Sequence, residues 1–395
     1  MLLKPRKSSS VPALRCGNDE WAFSPDQKAE VLANVFSERF NLPPPAQNEY
    51  SEIDTTLAAG TLEGFAIRPR LVHKILSNID EHTATGSDLI SARLLKKLSP
   101  YLCYPLTLLA RIILDRGIWP DIWRIHWICP LHKRLSRADA QNYRGVHMST
   151  QLSKVIERVF SDALQKHCKR FDCFGPHQYA YTVGRGHRDA LAIAALSWIS
   201  AWEQRKTIGL LCSDVSGAFD RVSTNRLCLK LRACGVSGRF LHLLASWLER
   251  RIAHVILEGT SSCALTIFDA VFQGTCLGPI LWNIYFSDSR CAVKKLHFTE
   301  LTFADDLNSF RFFDITEDHD TIWTALHNCQ AELHKWGEAN QVIFEPSKET
   351  LHILQRRHVE YSEFKLLGIV FDNHLLMHEA TRKLANEAGW RLNSL

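Results

Sequence analysis

Residues 301–310 of this chain read LTFADDLNSF, two short apolar runs separated by the adjacent aspartates Asp305 and Asp306. Aspartate favours turns and is poor in strand interiors, so the pattern predicts a β-hairpin with both carboxylates at its tip. A carboxylate pair suits a hard cation such as Mg²⁺, which prefers oxygen ligands and usually takes one or two carboxylates from the protein. The pair alone leaves open an ordinary Asp-Asp turn without function.

A further carboxylate follows an apolar strand far upstream. Five of the six residues at 208–213 are apolar or Gly, which is typical of a strand buried on both faces. That strand runs directly into Asp214, where an ionised side chain would be costly unless a cation paired with it. Because Asp214 and Asp305 are far apart in sequence, only a folded sheet can bring them together.

Periodicity predicts the surrounding elements. Helices are expected at 26–40, 69–79, 149–160 and 322–336, and over 90–113 with interruptions near Pro100 and Pro105. Strands are expected at 124–131, 208–215, 297–304 and 307–313. Helices and strands alternate without a Gly-rich dinucleotide motif, so the pattern favours an α+β fold over a doubly wound nucleotide-binding fold.

Three stretches occur in an order that resembles the palm of reverse transcriptases, most of all those of non-long-terminal-repeat (LINE-type) retrotransposons. They read DVSGAFD at 214–220, QGTCLGPILWN at 273–283 and FADD at 303–306. Weaker likenesses to other motifs of the family flank them, namely GSDLI at 86–90, PLHK at 130–133, NYR at 142–144 and LLGI at 366–369. The resemblance therefore extends over most of the chain.

The resemblance implies a right-hand polymerase fold of the α+β class with a helical N-terminal extension, fingers and palm. Its parts would be a lead-in and helix at 1–45, an extension of the fingers at 46–122, fingers at 123–207, a palm with the catalytic carboxylates at 208–360, and a primer-grip region with the start of a thumb at 361–395. Since the sequence stops about where a thumb should begin, we expect the thumb to be truncated or missing.

The resemblance also implies a catalytic centre. Asp214, Asp305 and Asp306 would hold two Mg²⁺ ions, with Mn²⁺ able to substitute, and Asp306 would be the less direct ligand. Two ions can clamp the attacking and leaving oxygens of an in-line displacement. Without metal, three clustered carboxylates would raise each other's pKa. Lys348 resembles a lysine that protonates the pyrophosphate leaving group, which is a general-acid role.

Five further residues match nucleotide-binding positions of the family. Phe219 stands where a bulky ring excludes a 2′-hydroxyl, with ordinary core packing as the alternative. Gln273 and Gly274 match an element that positions the template base and the incoming nucleotide, and Gly permits close backbone approach. Lys133 and Arg144 are candidates for the triphosphate, since Lys is a point charge and Arg a planar fork. The alternative for both cations, and for Lys348, is a solvated position on the surface.

The chain departs from the family pattern in the predicted fingers. Gly145-Val146-His147 replaces the usual Pro-Ile-Ser, and YAYTVGRG at 179–186 replaces a Phe-Gly-Phe-Arg-Pro pattern. The main hypothesis is an RNA-directed DNA polymerase that uses an RNA template, a DNA primer and deoxynucleoside triphosphates. A catalytically decayed, truncated relative that only binds RNA is the alternative. An RNA-directed RNA polymerase is disfavoured by Phe219 and the acidic hairpin.

Composition narrows the class of protein. The 395 residues are 46% hydrophobic and carry a net charge of +5, which is ordinary for a soluble globular protein. Residues 130–170 contain nine Lys or Arg against three acids, which suits phosphate contacts or a solvated helix face. The 12 cysteines show no C-x-x-C spacing, so a zinc site is not expected. Without a predicted signal peptide or membrane span, we expect an intracellular protein, nuclear or cytoplasmic, with no membrane partner.

Overall fold

The structure is a computed structural model that describes residues 11–16, 20–43, 60–356 and 359–393. Parts of two predicted segments lie outside these residues, namely 1–10, 17–19 and 44–45 of the lead-in and helix, and 46–59 of the fingers extension. The described part contains twelve α-helices and fourteen β-strands. This mixture confirms the predicted α+β class.

The helices and strands, in chain order, have the following bounds. The helices are α1 (Pro25–Phe40), α2 (Pro69–Ser77), α3 (Ala92–Lys97), α4 (Ser99–Arg116), α5 (Gln151–Arg170), α6 (His187–Glu203), α7 (Thr224–Ala233), α8 (Gly238–Leu248), α9 (Gly278–Phe286), α10 (Ser289–Lys294), α11 (His319–Asn340) and α12 (His378–Asn393). The strands are β1 (Leu14–Arg15), β2 (Trp21–Ala22), β3 (Ile125–His132), β4 (Tyr143–Met148), β5 (Lys206–Ser216), β6 (Arg251–Leu257), β7 (Thr260–Ser261), β8 (Leu265–Ile267), β9 (Thr299–Phe303), β10 (Asp306–Asp314), β11 (Ile343–Phe344), β12 (Thr350–Leu354), β13 (Glu363–Leu366) and β14 (Ile369–Asp372).

Local sequence explains where several of these elements begin and end. Helix α1 starts after Ser24, whose hydroxyl accepts a hydrogen bond from the Gln27 backbone while the Gln27 side chain accepts one from the Ser24 backbone. This reciprocal pair satisfies two N–H groups that the first turn cannot use. The predicted break near Pro100 lies at Leu98, between α3 and α4, but α4 continues through Pro105. Pro105 is exposed, so water can reach the carbonyl that loses its helical partner there.

The chain forms two compact units. Unit 1 comprises residues 1–173 and 219–285. Its sheet has the strand order β4-β3-β6-β7, with β8 also paired to β6. Strands β3 and β4 form an antiparallel ladder, whereas β3 and β6 run parallel. Helix α1 packs against β6.

Unit 2 comprises residues 174–218 and 286–395. Its sheet has the order β11-β5-β10-β9. Strand β12 also pairs with β5, at a different part of that strand from β11. Seven consecutive residues of β5, Thr207–Ser213, are buried, as expected for a strand covered on both faces. Helices α6 and α11 pack on it. Trp198, buried on α6, lies in the core cluster with Phe310 of β10.

The described helices include none whose length and apolar content would let it cross a bilayer. All twelve cysteines are free thiols. Five of them are buried and three are exposed.

Candidate active site

In unit 2, a tight turn joins β9 to β10 and carries the acidic motif. Phe303 pairs with Asp306 across the hairpin, so the turn consists of Ala304 and Asp305. Ala304 has a φ of +59°, which non-glycine residues seldom adopt. The two aspartates were predicted to share the tip, whereas the structure places Asp305 in the turn and Asp306 at the first position of β10.

Strand β5 places Asp214 beside this turn. The antiparallel register sets Asp214 directly opposite Asp306, a separation at which side chains on one face of a sheet interact. Burial, the negative charges of Asp305 and Asp214, and a hydrogen bond with the Asp214 side chain raise the pKa of Asp306 well above its ordinary value. The three carboxylates therefore oppose each other's ionisation, as crowded acids do.

Lys348 reaches the same carboxylates. Its ammonium group forms an ion pair with the Asp214 carboxylate, and its positive charge lowers the pKa of Asp306. The segment that carries it is fixed to β5, because the Glu345 N–H donates to the Asp214 carbonyl at 2.9 Å. The Lys348 N–H in turn donates to the Glu345 carbonyl at 2.9 Å. The lysine side chain stays about one-third exposed, at 35%.

The donor chemistry of this cluster suits a hard divalent cation. Among the described residues, no group of three or more His, Cys, Asp or Glu side chains is arranged to hold a metal ion by itself. Mg²⁺, however, is usually held by one or two carboxylates and completes its shell with water and substrate phosphates. Asp214 and Asp305 supply donors of that kind, and an ion between them would relieve the repulsion that raises the pKa of Asp306.

The two predicted triphosphate ligands lie in unit 1, on the β3–β4 ladder. Arg144 pairs with Leu131 in register, and the Lys133 N–H donates to the Asn142 carbonyl at 2.9 Å. Lys133 is exposed and Arg144 is half-buried. Burial raises the pKa of Asp220 to about 6, while the positive charges of Arg39 and Lys133 act in the opposite direction. The Lys133 charge therefore lies within electrostatic reach of a buried carboxyl.

Gln273 and Gly274 form a loop that β4 holds in place. The His147 N–H donates to the Gln273 carbonyl at 2.7 Å. Gly274 has a φ of +104°, and a Cβ atom there would lie 2.6 Å from the His147 carbonyl oxygen. Glycine is therefore required here by both conformation and space.

Phe219 belongs to the same unit as this loop. Its carbonyl accepts a hydrogen bond from the Val271 N–H at 2.9 Å, two residues before Gln273. The Phe219 ring stacks on Trp282, with centroids 6.0 Å apart and planes inclined by 23°. The side chain is only half-buried, so part of the ring stays accessible.

Sequence reasoning missed Glu157 of α5 and Arg251 of β6. Glu157 is fully buried and its Oε2 accepts a hydrogen bond from the Cys276 N–H at 2.8 Å, just after the Gln273-Gly274 loop. Burial raises the pKa of Glu157, while the charge of Arg251 lowers it. The buried Arg251 guanidinium lies 4.4 Å from the ring centroids of both Trp247 and Phe272. A buried charged network thus supports the loop.

A signal for Glu157 was present in the sequence. Ser153, Phe160 and Leu164 follow the helical spacing that includes Glu157, and all are buried on α5. A carboxylate on the inward face of a helix needs a buried partner. The segment was interpreted as a helix within a basic region, and the inward position of this acid was overlooked.

The structure thus gathers the predicted site residues into two sets. Within unit 2 it brings together Asp214, Asp305, Asp306 and Lys348. Within unit 1, backbone hydrogen bonds join the Gln273-Gly274 loop to β4, the strand that carries Arg144, and join the segment before the loop to Phe219.

Known proteins resemble the chain over both sets. The family profile described as reverse transcriptase (RNA-dependent DNA polymerase) matches residues 132–371. The RNA-directed DNA polymerase from mobile element jockey of Drosophila melanogaster is 27% identical over 302 residues, which is 73% of this chain and 32% of the relative. The probable RNA-directed DNA polymerases from transposon BS and transposon X-element of the same fly are each 25% identical, over 77% and 94% of this chain and 34% and 43% of the relatives.

The chain spans about a third to less than half of the length of these curated relatives. The matched family region covers more than half of the chain and includes every predicted site residue. The relatives are polymerases of non-long-terminal-repeat retrotransposons, which confirms the resemblance found in the sequence motifs. The chain belongs to the reverse transcriptase family.

Proposed function

We propose that this chain is the RNA-directed DNA polymerase core of a LINE-type retroelement and transfers nucleotides by a two-metal mechanism. The observation that carries the proposal is the register of β5 against β10, which sets Asp214 opposite Asp306 with Asp305 in the adjoining turn. Crowded carboxylates with raised pKa values are frequent at catalytic sites. Family membership supplies the reaction class.

Asp214 and Asp305 would hold the two metal ions, with Asp306 completing the negative pocket. Bound there, Mg²⁺ or Mn²⁺ would stabilise charge on the attacking and leaving oxygens of the phosphoryl group. Lys348 would donate a proton to the pyrophosphate oxygen as the leaving group departs. Its ion pair with Asp214 supports this role, because the pair holds the ammonium group at the edge of the acidic cluster.

The nucleotide-binding roles belong to unit 1. Lys133 and Arg144 would contact the triphosphate, and Arg144 can offer two parallel N–H groups to phosphate oxygens. Gln273 and Gly274 would position the incoming nucleotide and the template base. The half-buried ring of Phe219 would exclude a 2′-hydroxyl, and its stacking on Trp282 supports this role by limiting how far the ring can turn aside.

The wider assignment follows the family. The substrates would be an RNA template, a DNA primer and deoxynucleoside triphosphates, and the site of action nuclear or cytoplasmic. The polymerase parts would follow a right-hand plan, with the fingers extension at 46–122, fingers at 123–207, palm at 208–360 and primer grip at 361–395.

Primer extension on an RNA template tests the proposal directly. The purified chain should extend a DNA primer only with a divalent cation, and Asp305→Ala should abolish extension. Asp314→Asn is a matched control, because Asp314 lies at the opposite end of β10 and is exposed. That control should extend the primer at the wild-type rate.

Two measurements separate this function from the alternatives. RNA binding without any extension or any response to Mg²⁺ would favour a decayed relative that only binds RNA. Equal use of ribonucleotides and deoxynucleotides would favour an RNA-directed RNA polymerase and contradict the role given to Phe219.

A further inference from the structure

A short segment of unit 2 lies along the outer side of β9. The Thr302 N–H donates to the His177 carbonyl at 3.0 Å, and the Tyr179 N–H donates to the Thr302 carbonyl at 3.0 Å. These bonds form a parallel bridge that sets Gln178 beside Thr302, two residues before Ala304. These backbone hydrogen bonds therefore fix the position of the Gln178 Cα atom beside β9.

The Gln178 amide oxygen accepts two backbone hydrogen bonds. One comes from the Ala304 N–H at 3.3 Å and the other from the Ala180 N–H at 3.0 Å. The side chain is buried, with 5% of its surface exposed. Because Ala180 belongs to the same segment, its hydrogen bond holds the amide in the orientation that also meets Ala304.

The backbone at Ala304 needs such support. A non-glycine residue with a φ of +59° lies in a sparsely populated region and persists where its surroundings fix it. The orientation of the Ala304–Asp305 peptide sets the direction in which the Asp305 side chain leaves the chain. A neutral acceptor suits this place, since a carboxylate would add negative charge beside Asp305 and Asp306.

We propose that Gln178 is a positioning residue for the acidic hairpin, because its buried amide oxygen holds the Ala304–Asp305 turn in the conformation that presents the Asp305 carboxylate. The inference rests on the proposed polymerase function for its effect on rate, but not for its effect on the turn. Local sequence patterns do not predict this contact, because Gln178 and Ala304 lie 126 residues apart.

The test compares two variants by single-turnover primer extension. Gln178→Met keeps the length of the side chain and removes the acceptor, and we expect it to slow nucleotide addition by about 10- to 100-fold, the range that a small misplacement of a reacting group produces. The apparent affinities for primer–template and nucleotide should change by less than about 2-fold, because no binding group is removed.

Gln355→Met is the matched control. Gln355 is buried in the same unit, and its side-chain oxygen is also a hydrogen-bond acceptor, with His319 as the partner at 3.1 Å. It should therefore reproduce any general loss of stability without slowing extension. A Gln178→Met enzyme as fast as wild type, or no slower than Gln355→Met, would overturn the proposal.

Hydrogen exchange provides a readout that does not require activity. Peptides covering 301–307 should exchange faster in Gln178→Met than in wild type and in Gln355→Met. If wild type fails to extend primers but this difference appears, the polymerase function is wrong and the structural role of Gln178 stands. Unchanged exchange at 301–307 would count against that role whatever the activity.

Discussion

The acidic hairpin of unit 2 and the Gln273-Gly274 loop of unit 1 are stabilised in opposite ways. In the hairpin, the sheet register forces carboxylates together, and each raises the cost of ionising its neighbours. In the loop, a buried carboxylate, Glu157, accepts a backbone N–H and faces a buried cation, Arg251. The hairpin is therefore an electrostatically unfavourable site maintained by distant pairing, as functional sites often are, whereas the loop is supported by a charge-balanced interior.

The comparison predicts its largest effect at Asp305. Asp305→Asn should lower the rate of primer extension by about 10³-fold or more, because one of the two carboxylates proposed to hold the metal ions is lost. The melting temperature should stay the same or rise, since one repulsive charge beside Asp306 disappears. Single-turnover kinetics and thermal unfolding of the same preparation check both parts. A clear drop in melting temperature would show that the carboxylates stabilise one another and would contradict the contrast.

Substitution of Glu157, in contrast to that of Asp305, should lower the stability of the fold. Glu157→Leu removes the acceptor of the Cys276 N–H and leaves Arg251 without its buried counter-charge, so we expect a loss of about 3 kcal/mol in the free energy of unfolding. The double variant Glu157→Leu/Arg251→Met should recover part of that loss, because no uncompensated charge remains. Urea unfolding measures both. A single variant as stable as wild type would mean that the network does not support the loop.

A smaller effect is expected from adding a Cβ atom to the loop. Gly274→Ala should cost about 1–3 kcal/mol for a strained backbone and should also raise the KM for nucleotide, because the new atom would displace the His147 carbonyl. Gly259→Ala separates the effect of backbone strain from the effect of the close contact. Gly259 also has a positive φ, of +88°, but nothing lies within 4 Å of its added Cβ. The control should lose stability without a change in KM. Equal kinetics for both variants would contradict the close approach at Gly274.

The two buried histidines behind the loop give a prediction that depends on pH. His126 Nε2 and His147 Nδ1 are 2.6 Å apart and fully buried. Burial lowers the pKa of His147 to about 3 and the pKa of His126 well below its ordinary value. The unfolded chain binds protons below pH 6.5 that the folded chain excludes, so stability should fall by about 1.4 kcal/mol per pH unit for each histidine as the pH drops from 6.5.

Carboxyl groups act against this trend. The pKa of Asp220 is raised to about 6, so its contribution increases stability as the pH falls toward 4. Comparing wild type with His147→Phe cancels that contribution. Chemical unfolding at several pH values between 7 and 4.5 should give a shallower decline for the variant. Parallel declines would mean that the histidine pair does not set the acid sensitivity.

The sequence predicted the elements that carry a strong local pattern. The helix at 26–40, the buried strand through Ser213 and the hairpin around Asp305 were all expected within a few residues of their observed bounds. The position of the turn was predicted incorrectly. The turn contains Ala304 and Asp305 rather than Asp305 and Asp306, and this position depends on the register with β5. The prediction of a helix break at Pro105 was also wrong, because the exposure of that residue decides whether a helix tolerates proline.

Other features depend on contacts that no local pattern records. Gln178 reaches Ala304 across 126 residues, and Glu157 meets Cys276 across 119 residues. Neither residue type marks a site by itself. The family resemblance pointed to the acids of the hairpin and β5, whereas the neutral amide and the buried carboxylate that hold the backbone became visible only from distances and burial.

The β5–β10 ladder carries opposite charges at one end and like charges at the other, and this difference affects how unit 2 folds. At one end Lys206 pairs with Asp314 and their side chains form an ion pair, while at the other end Asp214 pairs with Asp306. Attraction at the first end and repulsion at the second favour zippering that starts at Lys206 and finishes at the acids. We expect amide protons near Asp306 to exchange before those near Asp314, and the reverse order would contradict this difference between the two ends. Assembly of the carboxylate cluster is then the last step in building its own sheet, and the first to be undone.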